Sequence, residues 1–288
     1  MSGWSPPLEQ AIAGVLERWV TRVSRPGPAE WRFDLGNGKP FPVTAHREDG
    51  WLRLVAPAPL AFPEGEQAPW RTLRLNGLLQ GPVRLVRHPR PTGLVLQAEL
   101  PLEDAQLVAA RLEALCHALR AASPVLCGKH SGELPLPAEQ DAEADSALLQ
   151  LARERGWQLE QREDNRYSAE LDAPGSLSQA TLERRGGELR LGIEVLRSSS
   201  LSEDSQRAIE LFLLRFTALV RMVRGAASEE PAPAIRLEVR LPAAPSGTEL
   251  ELGFSALSLA CRLGARELRG LADQLLARTY LDHVTMEE

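Results

Sequence analysis

The feature that most constrains this chain is a residue pattern that occurs once in each half. Asp49-Gly50 and Gly186-Gly187 each separate two runs in which polar and apolar residues alternate. Such alternation predicts half-buried β-strands, and both dipeptides suit a tight hairpin turn. The hairpins align without gaps, with identities at Thr44 and Thr181, Arg47 and Arg184, Gly50 and Gly187, Leu52 and Leu189, Arg53 and Arg190, and Leu54 and Leu191. Arg84-Leu85 also matches Arg236-Leu237. The repeated pattern predicts two tandem copies of one domain.

The stretch between residues 123 and 145 separates the two halves. It contains Pro124, Pro135 and Pro137, and no basic residue occurs from Ser131 through Ala152. Prolines together with like charges favour an extended, solvated connection. We therefore predict a first domain at 1–122, a linker at 123–145 and a second domain at 146–288. The acidic run could instead act as a docking tail.

Both halves are predicted to follow the order α-β-β-β-α-β-β-α. Helices are expected at 6–23, 68–80, 103–121, 146–155, 200–224 and 265–281, from apolar residues at helical spacing. Strands are expected at 31–35, 42–48, 51–56, 83–87, 94–100, 157–171, 179–185, 188–196, 235–241 and 248–259. The predicted fold class is α+β in each half. The two halves could pair as an internal pseudo-dimer.

Composition and charge exclude several classes of protein. The net charge of −6 disfavours a nucleic-acid-binding protein, which normally has a basic face. The N-terminus has no basic segment followed by an apolar one, so no signal peptide is expected. The longest apolar stretch, 209–223, is too short and too charged to span a membrane. Three cysteines do not form a disulfide framework. We therefore expect a cytoplasmic protein.

The element order, found twice, and the sequence Gly93-Leu-Val-Leu-Gln-Ala-Glu-Leu-Pro-Leu102 before an amphipathic helix resemble the bacterial type III secretion chaperone family. The resemblance implies an α+β fold with a twisted antiparallel sheet backed by helices. It also implies a non-enzymatic protein that binds extended segments of secreted partners. Members of that family are commonly small, acidic homodimers. Here, two copies in one chain could replace the homodimer.

No group of residues predicts a catalytic site or a cofactor site. Cys116, His117, Cys127 and His130 carry the right atoms for tetrahedral zinc. However, the neighbours Cys116 and His117 point about 100° apart on a helix, so they cannot readily share one ion. Our expectation is no metal and no enzyme, with a metal protein or enzyme using Cys127 and His130 as the outside alternative.

The favoured function is a protein-binding module that holds an extended partner segment. The alternative is a structural or regulatory protein that docks a folded partner. Trp51 and Arg53 are predicted to share one sheet face, where an aromatic residue beside arginines can anchor a peptide. Leu211, Leu214 and Met222 lie outside the apolar stripe of their helix, which predicts a second buried contact.

Overall fold

The computed structural model describes residues 6–20, 22–36, 41–59, 70–88, 93–127, 148–150, 152–154, 158–163, 166–170, 179–185, 187–197, 200–228 and 234–287. The chain forms two compact units. The first unit comprises residues 1–61 and 79–130, and the second comprises 62–78 and 131–288. The second unit therefore includes a short segment that lies within the first half of the sequence.

The first half of the chain contributes three helices and six strands within the described residues. In chain order they are α1 (Pro6–Trp19), β1 (Val23–Gly27), β2 (Glu30–Asp34), β3 (Pro42–Glu48), β4 (Trp51–Pro57), α2 (Arg71–Leu78), β5 (Arg84–His88), β6 (Gly93–Pro101) and α3 (Ala105–Leu126). The strands form one antiparallel sheet in the order β1-β2-β3-β4-β6-β5. Helix α2 belongs to the second unit, whereas the strands on either side of it belong to the first.

The second half begins with helical residues at 148–150 and 152–154. The elements that follow are β7 (Leu159–Glu163), β8 (Arg166–Glu170), β9 (Gln179–Arg185), β10 (Glu188–Arg197), α4 (Glu203–Leu219), β11 (Val223–Ala227), β12 (Ala234–Pro242), α5 (Gly247–Gly270) and α6 (Gln274–Glu287). Their antiparallel sheet has the order β7-β8-β9-β10-β12-β11, which is the order of the first sheet. The protein is thus an α+β protein with two six-stranded sheets, as the sequence predicted for the fold class.

The two predicted hairpins are present, and their turns have the expected backbone. Gly50 and Gly187 have φ angles of 80° and 74°, in the left-handed region that glycine tolerates best. Along β4, Leu52 and Leu54 are fully buried while Trp51 and Arg53 are half-buried. Side chains therefore alternate between the two faces of the sheet, as the sequence pattern indicated.

Several predicted elements are wrong in detail. The first helix ends at Trp19, and 23–27 form a strand, so four strands rather than three precede α2. The region 157–171 likewise contains two strands, β7 and β8. Helix α4 ends at Leu219, and the unpredicted strand β11 follows it. The predicted final helix at 265–281 is divided between α5 and α6.

The predicted strand at 248–259 is the first half of helix α5. Ser246 accepts a hydrogen bond from the Glu249 amide, and the Glu249 carboxylate accepts one from the Ser246 amide, which together form a capping box. Leu250, Phe254 and Leu257 are then buried at helical spacing. This start signal fixes the helix although the local sequence also alternates.

The predicted linker region lies mostly outside the described residues. Residues 123–126 belong to α3, which continues through Pro124 and reaches Leu126. The remaining linker residues, 128–145, are not described.

The register of the sheets defines which positions correspond between the units. Arg53 on β4 lies opposite Glu99 on β6, and Arg190 on β10 lies opposite Arg240 on β12. On the last strand pairs, Arg84 lies opposite Gln97, and Arg224 lies opposite Glu238. By strand order, the counterpart of Arg84 is therefore Arg224. The match of Arg84-Leu85 to Arg236-Leu237 pairs strands that do not correspond.

Candidate protein-binding site

Helix α2 presents one buried face within the second unit. Trp70 immediately precedes the helix and is 2% exposed, while Leu73 and Asn76 are fully buried. These residues lie about one helical turn apart, so they line a single face of the short helix. Trp70 adopts a left-handed backbone conformation with φ of 65°. An aromatic residue, a leucine and an amide therefore anchor α2.

The N-terminus of α2 is bound by a carboxylate from another helix. Glu210 of α4 accepts a hydrogen bond of 2.9 Å from the Thr72 amide. Burial raises the pKa of this carboxyl, while hydrogen bonds from Thr72, Leu73 and Trp70 act in the opposite direction. A carboxylate at this position satisfies amides that have no partner inside the helix, and it interacts favourably with the helix dipole.

The C-terminal end of α2 is bound by two arginines from the second sheet. Arg224 donates to the Asn76 carbonyl oxygen at 3.0 Å, and Arg240 donates to the Gly77 carbonyl oxygen. Both guanidinium groups are almost completely buried. Cations at a helix C-terminus complement the negative end of the dipole. Charges on the second unit therefore match both ends of α2.

The amide of Asn76 bonds to a strand at the edge of the second sheet. Its Nδ2 donates to the Gly225 carbonyl oxygen on β11 at 2.8 Å. Strand β11 is buried throughout. A Cβ atom added at Gly225 would lie 3.0 Å from the Cβ of Leu213, so a larger residue on this strand would require the Leu213 side chain to shift. We call Glu210, Arg224, Gly225 and Arg240 the α2 cradle.

An ion-pair network on the second sheet supports the cradle. Arg240 lies 3.3 Å from Glu238 and 3.6 Å from Glu188, and Glu188 also lies 3.6 Å from Arg190. Burial, followed by repulsion from Arg240, lowers the pKa of Arg190. The carboxylates thus compensate for buried arginines that α2 alone would not balance.

On the corresponding face of the first sheet, charged and polar side chains are hydrogen-bonded to one another, and we call this set the closed network. Arg84 donates to Glu99 at 2.8 Å, Arg53 donates to Glu99 at 3.4 Å, and Gln97 donates to Glu99 at 3.0 Å. The Oε1 atom of Gln97 lies 2.8 Å from the Nε2 atom of His88. Glu99 occupies the position that Arg240 has in the second unit, so the central charge has the opposite sign.

A second surface consists of exposed leucines on α5. Leu259 and Leu263, one turn apart, are 49% and 56% exposed. We call Leu259 and Leu263 the leucine surface.

In the first unit, helix α1 covers the matching face of α3. When the N-caps Asp104 and Ser246 are aligned, His117 corresponds to Leu259. Trp19 of α1 packs edge-on against His117 with ring centroids 4.1 Å apart, and its indole donates to Glu113 at 3.2 Å. Arg120 lies over the same tryptophan at 4.8 Å. An amphipathic helix with a tryptophan therefore fits this face.

The predicted interaction residues lie at separate places. Arg53 is ion-paired with Glu48 at 2.8 Å and with Glu99, and Trp51 lies on the same strand. Leu214 is 5% exposed, Met222 is 6% exposed with φ of 66°, and Leu211 is half-buried. Neither set belongs to the cradle or to the leucine surface.

The cysteines and histidines do not form a cluster within the described residues. Burial raises the pKa of the Cys116 thiol to about 12 and that of Cys261 to about 11. Cys127 is exposed and its thiol donates to the Pro59 carbonyl oxygen at 3.6 Å, while His130 lies outside the described residues. No group of three potential metal ligands occurs in the part of the chain that the structure describes.

Comparison of the chain with models of protein families, with curated proteins and with solved structures gave no match. The resemblance to the type III secretion chaperones stays a prediction from element order. Among the described helices, none combines the length and hydrophobicity needed to cross a membrane.

The sequence contained weak signals for the cradle. Glu210 interrupts an apolar helix, Arg224 lies at the predicted end of that helix, and Arg240 falls within a predicted strand. Their common partner α2 is more than 120 residues away, and it lies in the part of the sequence predicted as the first domain although it belongs to the second unit. No local pattern connects these positions.

Proposed function

We propose that this protein is a non-enzymatic protein-binding module whose leucine surface receives an amphipathic helix of another protein. The observation that carries the proposal is the exposure of Leu259 and Leu263 on the α5 face that matches the α1-covered face of α3. Half-exposed leucines at helical spacing provide the kind of apolar anchor that binds a helix in a groove.

The occupant is a helix rather than a strand added at β1 or β7, because these two edge strands are poorly suited to strand pairing. Strand β1 contains Pro26 and a register shift between Ser24 and Gly27. Strand β7 is charged and has a register shift between Gln161 and Glu163. Prolines, bulges and charges are common means by which proteins prevent edge pairing.

The more specific form of this proposal is a secretion-chaperone-like protein. The identical strand order of the two sheets supports it, as does the repeated hairpin. Each sheet contains six strands, whereas the predicted element order on which the resemblance rests contains five. The binding of a helix by the leucine surface does not depend on this narrower class.

The test uses a fluorescent peptide with the sequence of residues 6–20, since α1 covers the matching face in the first unit. We expect saturable binding to the full chain, weakened about tenfold or more by Leu263→Asp, which corresponds to about 1.4 kcal/mol. Leu219→Asp is the matched control, because Leu219 is 79% exposed on a different helix. Equal binding by all three proteins, or no binding, would contradict the proposal.

A further inference from the structure

The contacts around α2 describe a complete recognition site for a short helix. Glu210 binds the first turn, Gly225 accepts from a side-chain amide, and Arg224 and Arg240 bind two carbonyl oxygens of the last turn. All of these groups belong to the second unit. They contact a backbone amide, a side-chain amide and two backbone carbonyl oxygens, which any helix of suitable sequence would offer.

Helix α2 has little stability of its own. It extends only from Arg71 to Leu78, with no acidic residue in its first turn and no basic residue in its last. A helix of about two turns is unstable in water without tertiary contacts. The first-turn residues Arg71 and Arg74 also place positive charge near the positive end of the dipole. The cradle therefore supplies the charges that α2 lacks.

We propose that the cradle is a receptor for short helices of the pattern Trp-x-x-Leu-x-x-Asn-Gly, and that α2 is a built-in occupant which a partner's helix of this pattern displaces. The pattern follows from Trp70, Leu73 and Asn76, which are the buried residues of α2, together with Gly77. The cradle places the Glu210 carboxylate at the N-terminus of the bound helix, and Arg224 and Arg240 at its C-terminus. The partner segment is therefore a helix short enough for both of its ends to lie within the cradle.

Each position of the pattern has a physical reason. The tryptophan is a buried aromatic anchor, a residue type that often dominates binding energy, and the leucine contributes buried apolar surface. The asparagine supplies the donor for the Gly225 carbonyl. At Gly77, an added Cβ would lie 3.7 Å from the Ala227 carbonyl oxygen and 3.8 Å from the Ala226 Cβ, so the helix end lies close to β11.

The experiment measures the fluorescence anisotropy of a labelled peptide with the sequence of residues 68–80, added to the full chain. Wild-type chain should bind it weakly, because α2 occupies the cradle. In the Asn76→Ala chain, α2 loses a buried hydrogen bond while the cradle is unchanged. Apparent affinity should therefore rise about tenfold, in proportion to the increased fraction of open cradle.

The peptide variants serve as controls that do not depend on the folding of a mutant chain. A peptide with Asn76→Ala should bind the Asn76→Ala chain about tenfold more weakly than the native peptide. A peptide with Trp70→Ala should lose more affinity. Equal affinity of the native peptide for both chains, or no binding to the Asn76→Ala chain, would overturn the proposal. Equal binding of all peptides would do the same.

Discussion

The two units have the same strand order and register, but they differ in charge at two neighbouring positions of one sheet face. In the first unit Glu99 lies between Arg84 and Arg53 and forms an ion pair with each, while Glu48 provides a second carboxylate for Arg53. In the second unit the corresponding residue is Arg240, which donates to the end of α2. The neighbouring position changes from Gln97 to Glu238. A sheet face that is closed by ion pairs in one unit thus becomes a binding site for a helix end in the other.

This difference follows from the cost of burying charge. A buried arginine must have partners, because the desolvation of an unpaired cation costs several kcal/mol. Glu99 provides a carboxylate in the first unit. The second unit has buried Arg224 and Arg240, and the carbonyl oxygens of Asn76 and Gly77 supply part of what they need.

The largest expected effect is in the closed network. Glu99→Leu removes the carboxylate bonded to fully buried Arg84, and the free energy of unfolding should fall by about 3–5 kcal/mol. Urea denaturation measures this change. Glu48→Leu is the control, because Glu48 is a half-exposed partner of Arg53 and its loss should cost less than about 1 kcal/mol. Similar losses for both variants would mean that burial of the Glu99 pair has no special role.

A smaller effect is expected for α2 itself. Asn76→Ala removes the hydrogen bond to Gly225 and should lower the free energy of unfolding by about 1–2 kcal/mol. Thermal unfolding provides the measurement. Leu78→Ala, at a side chain that is 40% exposed, should cost less. If the order of the two variants is reversed, the Asn76 bond does not anchor the helix.

The pH dependence of stability tests Glu210. Burial raises its pKa above the usual 4.5, so the folded protein binds this proton more tightly than the unfolded chain. The contribution is fully present below pH 4.5 and is lost as pH rises through the folded-state pKa. Glu210→Gln should remove this part of the slope in urea unfolding measured at a series of pH values. Parallel curves for the two proteins would contradict the assignment.

The smallest effect is expected at the surface of α6. Arg278 lies 2.7 Å from Asp204, but its side chain is 64% exposed. Arg278→Ala should change the free energy of unfolding by less than about 1 kcal/mol because solvent screens exposed pairs. A larger loss would show that the attachment of α6 to α4 depends on this pair rather than on contacts such as Phe212 against Tyr280.

The hairpins were predictable because turn chemistry and strand alternation agree locally, and β3 begins and ends at its predicted residues. Helix α5 was not, because Leu250, Leu252 and Phe254 fit both a strand and a helix, and only the capping box at Ser246 distinguishes them. The tandem duplication stays a prediction that the shared strand order supports.

The cradle could not be predicted for a different reason. Glu210, Arg224 and Arg240 are unusual in their own elements, yet the partner that explains them is a two-turn helix far away in sequence. The sequence of α2 has no acidic residue in its first turn and no basic residue in its last turn that would reveal the interaction. Only the tertiary fold brings the two together.

Helix α2 is structurally part of the second unit, and native-state hydrogen exchange of its amides can test this assignment. In the Glu99→Leu chain, the amides of β5 and β6 should exchange faster, while those of Thr72 and Leu73 keep their protection. In the Asn76→Ala chain, Thr72 and Leu73 should exchange about tenfold faster while β5 and β6 remain unchanged. If the α2 amides instead follow β5 and β6 in both variants, the helix belongs to the first unit and the account is wrong.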